Sequence, residues 1–142
     1  MADYRTALTA AIAAGNLDAA VEVNMRYWLD GPHRESDQVT PGLRAQLARM
    51  QRDALINTRS VAAEWREEPL IDQIASQLKT VHATTLVLAG ELDWPFVHQQ
   101  ARILTSHIPN AAMHFIQHTA HAPNFEQPRT FNEHVLPFLA RP

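Results

Sequence analysis

The sequence predicts an α/β protein in which a helical first half precedes a strand–helix–strand–helix unit. Two short apolar runs, residues 85–89 and residues 113–116, have the length and composition of buried strands. The segment between them has apolar residues at helical spacing: Val97, Ala101, Leu104 and Ile108. Strands joined by such a crossover helix pair in parallel, so their carboxyl ends open on one edge of the sheet, where sites form.

The first two helices have clear start and stop signals. Residues 2–14 are rich in alanine, and Gly15 follows as a helix stop. Asn16 is the predicted N-cap of the second helix. Its apolar stripe is Leu17, Val21, Met25 and Trp28 or Leu29, and a turn follows at residues 30–32. On this pattern alone, Trp28 is a core anchor.

Thr40-Pro41 predicts the start of a third helix, with Thr40 as N-cap and Pro41 in the first turn. One face would carry Leu43, Leu47, Met50 and Ala54, and the arginines Arg44, Arg49 and Arg52 would face water. Pro69 breaks the chain before a further apolar stripe. We therefore expect a helical region over residues 1–69 and a sheet region over residues 70–142.

A last helix is predicted to begin at Gln127-Pro128. Its inward stripe would be Phe131, Val135, Phe138 and Leu139. Pro137 lies inside this stripe, removes a backbone donor and clashes with the preceding turn. We therefore expect this helix to kink or end early.

Composition excludes several classes of function. The chain has 142 residues, 46% of them hydrophobic, and a net charge of −3, which argues for a globular domain without the basic stripe of a nucleic-acid-binding protein. With no cysteine, disulfides, thiolate metal sites and a cysteine nucleophile are excluded. The start of the sequence lacks the pattern of a secretory signal, and the apolar runs are too short to span a membrane. We expect a cytoplasmic protein.

Asp93 and His121 are the candidate catalytic residues. Each follows a predicted strand, so the two side chains can meet across neighbouring loops. A carboxylate in that position holds one imidazole nitrogen as N–H and leaves the other to accept a proton. Taken singly, Asp93 would be an ordinary helix N-cap and His121 an ordinary hydrogen-bonded histidine.

A metal site is the alternative interpretation of the histidines His114, His118 and His121. His114 would lie in a strand and His118 in a loop, so the three side chains need not converge. Since no Asp or Glu within the run completes a ligand set, we predict that no metal binds here.

Two motifs resemble the C-terminal part of the α/β-hydrolase family: G-E-L-D-x-P at residues 90–95 and H-x-P-N-x-E at residues 121–126. The resemblance implies a partial α/β-hydrolase fold without a cofactor, with Asp93 as the acid and His121 as the base of a catalytic triad. Ala120 stands where the family usually has glycine. Residues 27–34 resemble a segment of the family's helical cap, which implies that Trp28 borders the substrate cleft. Trp94, which follows the expected acid Asp93, is the second residue expected to bind the substrate.

The resemblance does not extend to a nucleophile. The family's elbow is G-x-S-x-G, and none of the serines here lies between two glycines at that spacing. We therefore expect the sequence to correspond to the second half of a hydrolase, whose first half carries a serine. The family also contains dehalogenases and epoxide hydrolases that use an aspartate nucleophile.

The resemblance implies hydrolysis of a small ester or lactone. A non-catalytic truncated relative that binds a ligand or partner is the alternative, and a third possibility is that this chain supplies acid and base to a separate polypeptide. The expected partners are the missing N-terminal half or a second copy, joined through the open edge of the sheet. Neither nucleic acid nor a membrane is expected.

Overall fold

A computed structural model describes residues 2–58 and 77–140. The chain divides into two compact units, Met1–Arg66 and Glu67–Pro142, and each is described by itself. The predicted boundary near Pro69 and most of the apolar stripe after it lie outside the described residues.

The described part of the first unit is helical. Its elements are α1 (Ala2–Ala13), α2 (Leu17–Asn24), a π-helical continuation of α2 (Met25–Asp30), a short 3₁₀ turn (Ser36–Gln38) and α3 (Pro41–Thr58). Three members of the predicted stripe, Val21, Met25 and Leu29, are buried, which confirms the inward face of this helix. Gly31, with φ of 75°, ends the π-helical segment at the predicted turn.

The junction between α1 and α2 forms as its residue types predict. Gly15 has a φ of 65°, and its N–H donates to the carbonyl of Ile12 at 3.0 Å, while the N–H of Asn16 donates to Ala11 at 2.9 Å. This is a Schellman motif, which satisfies carbonyls at the end of α1. The side chain of Asn16 then accepts from the N–H of Ala19 at 3.0 Å and caps α2.

The prediction that Arg44 faces water is wrong. Its guanidinium donates to both carboxylate oxygens of Asp30 at 3.1 Å, and one of its nitrogens lies 2.7 Å from Glu22. Asp30 is fully buried, so its charge requires a partner. The hydrogen bonds that the guanidinium donates to Asp30, and then those that it donates to Glu22, raise the pKa of Arg44. On the same helix Met50, which belongs to the predicted apolar face, is exposed.

The second unit contains the sheet. Its described elements are a 3₁₀ turn (Leu78–Thr80), β1 (Thr85–Gly90), α4 (Pro95–His107), β2 (Ala111–Ile116), α5 (Pro123–Glu126) and α6 (Pro128–Leu139). β1 and β2 pair in parallel, with Thr85 opposite Ala111 and Gly90 opposite Ile116. The predicted α/β arrangement with two parallel strands is therefore confirmed. Ala101 and Ile108 on the predicted stripe of α4 are buried.

Two expectations for this unit are corrected. Residues 85–88 of β1 are only partly buried, and full burial begins at Ala89. The helix does not end early at Pro137: α6 continues to Leu139, and the N–H of Ala140 still donates to Leu136 at 3.0 Å. Leu139, predicted to face inward, is 69% exposed.

Helices long and apolar enough to cross a membrane are absent from the described residues.

Candidate active site

The candidate site lies where β1 and β2 end side by side. Beyond the paired ends Gly90 and Ile116, the two loops continue to hydrogen-bond to each other. The N–H of Glu91 donates to Ile116 at 3.0 Å, and the N–H of Leu92 donates to Thr119 at 2.8 Å. These main-chain bonds place the loop that carries Asp93 against the loop that carries His121.

Gly90 permits this close contact. A methyl group added at Gly90 would overlap the carbonyl oxygens of Thr119 and Ala120 and would lie 2.7 Å from the carbonyl carbon of Ala120. Since backbone atoms cannot move aside as a flexible side chain does, a side chain at this position would push the histidine loop away. The glycine of the G-E-L-D motif therefore has a steric role in the site.

Asp93 and His121 form a hydrogen-bonded pair. Oδ2 of Asp93 lies 2.7 Å from Nδ1 of His121, and Oδ1 of Asp93 accepts the N–H of Trp94 at 2.8 Å. The carboxylate is buried, with 2% of its side chain exposed, whereas 46% of the imidazole is exposed. A buried carboxylate that accepts from Nδ1–H favours the tautomer whose Nε2 can accept a proton.

The interpretation of Asp93 as a helix N-cap is wrong. α4 begins at Pro95, its N-cap residue is Trp94, and no side chain caps it. Asp93 instead directs its second carboxylate oxygen to His121.

The turn before His121 differs from the family's pattern, in which glycine precedes the histidine. Among the described non-glycine residues, a positive φ occurs at His118, with a value of 60°. The left-handed position therefore falls three residues before His121 rather than at Ala120, so Ala120 needs no glycine-like backbone. Ala120 is fully buried.

Two glutamates to which no role was predicted hold this turn. Oε2 of Glu91 accepts the N–H of His118 at 3.1 Å, and Oε1 of Glu126 accepts the N–H of Ala120 at 2.8 Å. Both glutamates belong to the two motifs that resemble the α/β-hydrolase family, and this membership was the signal in the sequence that could have indicated a role for them. Their partners could not be inferred, because spacing along a sequence does not show which loop amides need an acceptor.

The two tryptophans predicted to border the substrate lie in different units. Trp94 adjoins Asp93 at the start of α4 and is half-buried. Trp28 belongs to the first unit, where its indole N–H donates to the hydroxyl of Tyr4 at 3.1 Å. The ring of Trp28 also packs edge-on against Tyr4 and Tyr27. A role for either residue in substrate binding remains a prediction.

The three histidines considered for a metal site have different surroundings. The ring of His114 in β2 stacks on His134 of α6, with 4.4 Å between ring centroids, His121 contacts Asp93, and His118 lies in the turn. Within residues 2–58 and 77–140, no three His, Cys, Asp or Glu side chains are grouped so that they could hold a metal ion.

Comparison with known proteins adds a partial similarity to a hydrolase. A stretch of 67 residues, 47% of this chain, is 30% identical to a protein named "Putative carbamate hydrolase RutD" from Pseudomonas syringae pv. syringae (strain B728a). The stretch covers 26% of that protein, so the match spans about a quarter of the relative's length. No family model matches the chain. The similarity gives weak support to a hydrolase of the α/β-hydrolase type.

Proposed function

We propose that this chain contributes the acid and the general base of an α/β-hydrolase that uses a serine nucleophile. In this mechanism the serine attacks a carbonyl carbon while Nε2 of His121 accepts the hydroxyl proton. Asp93 holds Nδ1–H and stabilises the imidazolium that forms. His121 then donates its proton to the leaving group, which completes the acylation half of the reaction.

The contact between Asp93 and His121 is the observation that carries this proposal. Its distance of 2.7 Å is that of a charge-assisted hydrogen bond. Burial of the acid and exposure of the imidazole suit an orienting group and a base that must reach a substrate. The location also fits, since sites in parallel sheets form at the carboxyl ends of strands.

The proposed substrates are small molecules with a carbonyl next to a leaving oxygen or nitrogen. Small esters and lactones follow from the family resemblance, and the name of the relative from Pseudomonas syringae adds carbamates. The three classes share the tetrahedral intermediate that a serine and a base produce, so one experiment can compare them directly.

The proposed nucleophile comes from a stretch of protein outside these 142 residues, either upstream in the same chain or in a separate polypeptide. No G-x-S-x-G motif is present. Ser106 is a poor candidate, because it lies near the end of α4 and its hydroxyl donates to the carbonyl of Ile103 at 3.0 Å. Its Oγ also lies 3.0 Å from Nδ1 of His107, but this nitrogen donates to the same carbonyl at 2.9 Å and so cannot take the hydroxyl proton.

The test joins this chain to the protein sequence encoded directly upstream of Met1, by fusion or co-expression, and measures hydrolysis of matched ester, lactone and carbamate substrates. We expect turnover that a serine-directed phosphonate abolishes and that His121→Ala removes. His107→Ala is the matched control, because His107 is exposed near the end of α4. Activity that survives His121→Ala would contradict the proposal.

A partner-binding module is the second candidate, and exposed leucines on α6 favour it. Leu136 and Leu139 are 62% and 69% exposed, and Leu136 lines an open depression with Pro137 and Arg129. Apolar side chains in such positions are common at protein interfaces. Failure of every upstream sequence to restore turnover, together with stable association of the chain, would favour this function.

A further inference from the structure

The peptide bond between Thr119 and Ala120, one residue before His121, is held by a carboxylate. Ala120 is fully buried, and its N–H donates to Oε1 of Glu126 at 2.8 Å. A buried N–H without an acceptor is costly, and a carboxylate is a stronger acceptor than a carbonyl. The orientation of this peptide, together with the backbone torsions of the buried Ala120, determines where the backbone of His121 lies.

Glu126 is itself fixed by the short helical turn α5. The N–H groups of Phe125 and Glu126 donate to Ala122 at 2.9 Å and 3.0 Å, and that of Gln127 donates to Pro123 at 2.9 Å. Because α5 begins two residues after His121, the carboxylate turns back across a small loop to the N–H of Ala120. The closing entropy of so short a loop is small.

The other contacts in the turn act on earlier residues. Glu91 accepts the N–H of His118, and the carbonyl of Thr119 accepts the N–H of Leu92. The hydroxyl of Thr119 donates to Ile116 at 2.8 Å. The carbonyl of Thr119 and the N–H of Ala120 belong to the same peptide, so Leu92 and Glu126 hold its two ends, while the other bonds hold the backbone before it. Asp93 then holds the ring.

We propose that Glu126 is a positioning residue for His121: it holds the backbone of the histidine so that Nδ1 faces Asp93. This inference rests on the proposed function, in which His121 is the general base. Glu126 acts on His121 through the N–H of Ala120.

Nuclear magnetic resonance of the full 142-residue chain tests this role with two signals. The first is the hydrogen-exchange rate of the Ala120 amide, and the second is the low-field proton of Nδ1–H in His121. We expect Glu126→Ala to accelerate Ala120 exchange by about tenfold or more, the range of a lost charge-assisted bond. The His121 proton signal should broaden or disappear.

Two variants serve as controls. Glu126→Gln retains an oxygen acceptor and should restore most of both signals. Glu133→Ala removes an exposed glutamate of α6 and should change neither. If Glu126→Ala leaves both signals as in the parent chain, or if Glu126→Gln behaves like Glu126→Ala, the positioning role is overturned.

A measurement without substitution decides the matter if Glu126→Ala does not fold. On acidification of the parent chain, the Ala120 amide proton should shift together with the carboxyl carbon of Glu126, and independent shifts would overturn the inference. Asp93→Asn separates this inference from the proposed function. A His121 proton signal that survives Asp93→Asn contradicts the catalytic pair, while Ala120 exchange still reports on Glu126.

Discussion

Gly90 and Ala120 lie so close that a single methyl group on Gly90 would overlap the carbonyl oxygen of Ala120. The strand that leads to Asp93 therefore packs directly on the peptide next to His121. This contact makes the acid–base pair depend on a residue that has no side chain.

Gly90→Ala should destabilise the chain and separate the pair. The overlap is with backbone, so the histidine loop must shift, and overpacking of this kind costs about 1–3 kcal/mol. We expect a lower denaturant midpoint and loss of the Nδ1–H signal of His121. Gly42→Ala is the control, because a methyl group there meets no atom within 4 Å. This substitution should stabilise α3 by a few tenths of a kcal/mol to about 1 kcal/mol. Equal effects of the two substitutions would contradict the steric role of Gly90.

Arg44→Ala should destabilise the first unit by about 2–4 kcal/mol, because it leaves the buried carboxylate of Asp30 with weaker compensation. Arg26 still reaches Asp30 at 3.2 Å, which keeps the loss below that of an isolated buried charge. Arg49→Ala, an exposed arginine on the same helix, should change the free energy of unfolding by about 0.5 kcal/mol or less. Urea denaturation of both variants measures the difference.

The pH dependence of this contact follows from the raised pKa of Arg44. A base with a raised folded-state pKa contributes stability that is fully present below its unfolded pKa and is lost as pH rises through the folded one. Near neutral pH the guanidinium is charged in both states, so its contribution should stay constant. In the Asp30→Asn background, Arg44→Ala should cost clearly less, and additive losses would show that the two residues do not act together.

Local signals in the sequence predicted most helix and strand limits, whereas long-range polar contacts were missed. Gly15 and Asn16 predicted the first helix junction, because both act within a few residues of themselves. Arg44 looked like a surface residue, since its partner Asp30 is fourteen positions away and no local period connects them. The contact of Glu126 was missed for a similar reason, because the N–H of Ala120 needs an acceptor within the protein only once Ala120 is buried.

The Asp93–His121 contact was predicted from two strand ends, and the structure contains it. The prediction for Pro137 failed for a different reason. Whether a proline ends a helix depends on whether the turn after it closes, and the local sequence does not show that. The proposed nucleophile and substrate contacts involve residues beyond these 142, so no pattern in this sequence could indicate them.

In the reconstituted enzyme, His121→Ala should impair kcat more than Asp93→Asn. The base transfers the proton, whereas the acid orients and stabilises it, so the expected losses are on the order of 10⁶-fold and 10⁴-fold. Single-turnover rates with one ester substrate compare the variants at saturating concentration. Equal rates for His121→Ala and the parent enzyme would mean that the motifs were misinterpreted.

The 142-residue chain by itself should hydrolyse short p-nitrophenyl esters no faster than buffer with free imidazole. A general base without a positioned nucleophile leaves little beyond background hydrolysis. The measurement compares the purified chain with and without a serine-directed phosphonate. Turnover that the phosphonate abolishes would reveal a nucleophile among these residues.

The free edge of β1 should make the chain associate. Within the described residues β1 pairs with β2 alone, and a two-stranded sheet is marginal by itself. The N–H groups of Thr85 and Glu91 donate toward β2, so strand alternation directs those of Leu86 and Leu88 to the other edge. An open edge beside partly buried leucines is a template for another strand.

We expect a homodimer, or a complex with the upstream sequence, by multi-angle light scattering at high micromolar concentration. Leu86→Pro removes one outward donor and spares the bonds to β2, so it should weaken association, whereas Leu86→Ala controls for the lost side chain. A cooperative monomer for the parent chain would contradict this prediction.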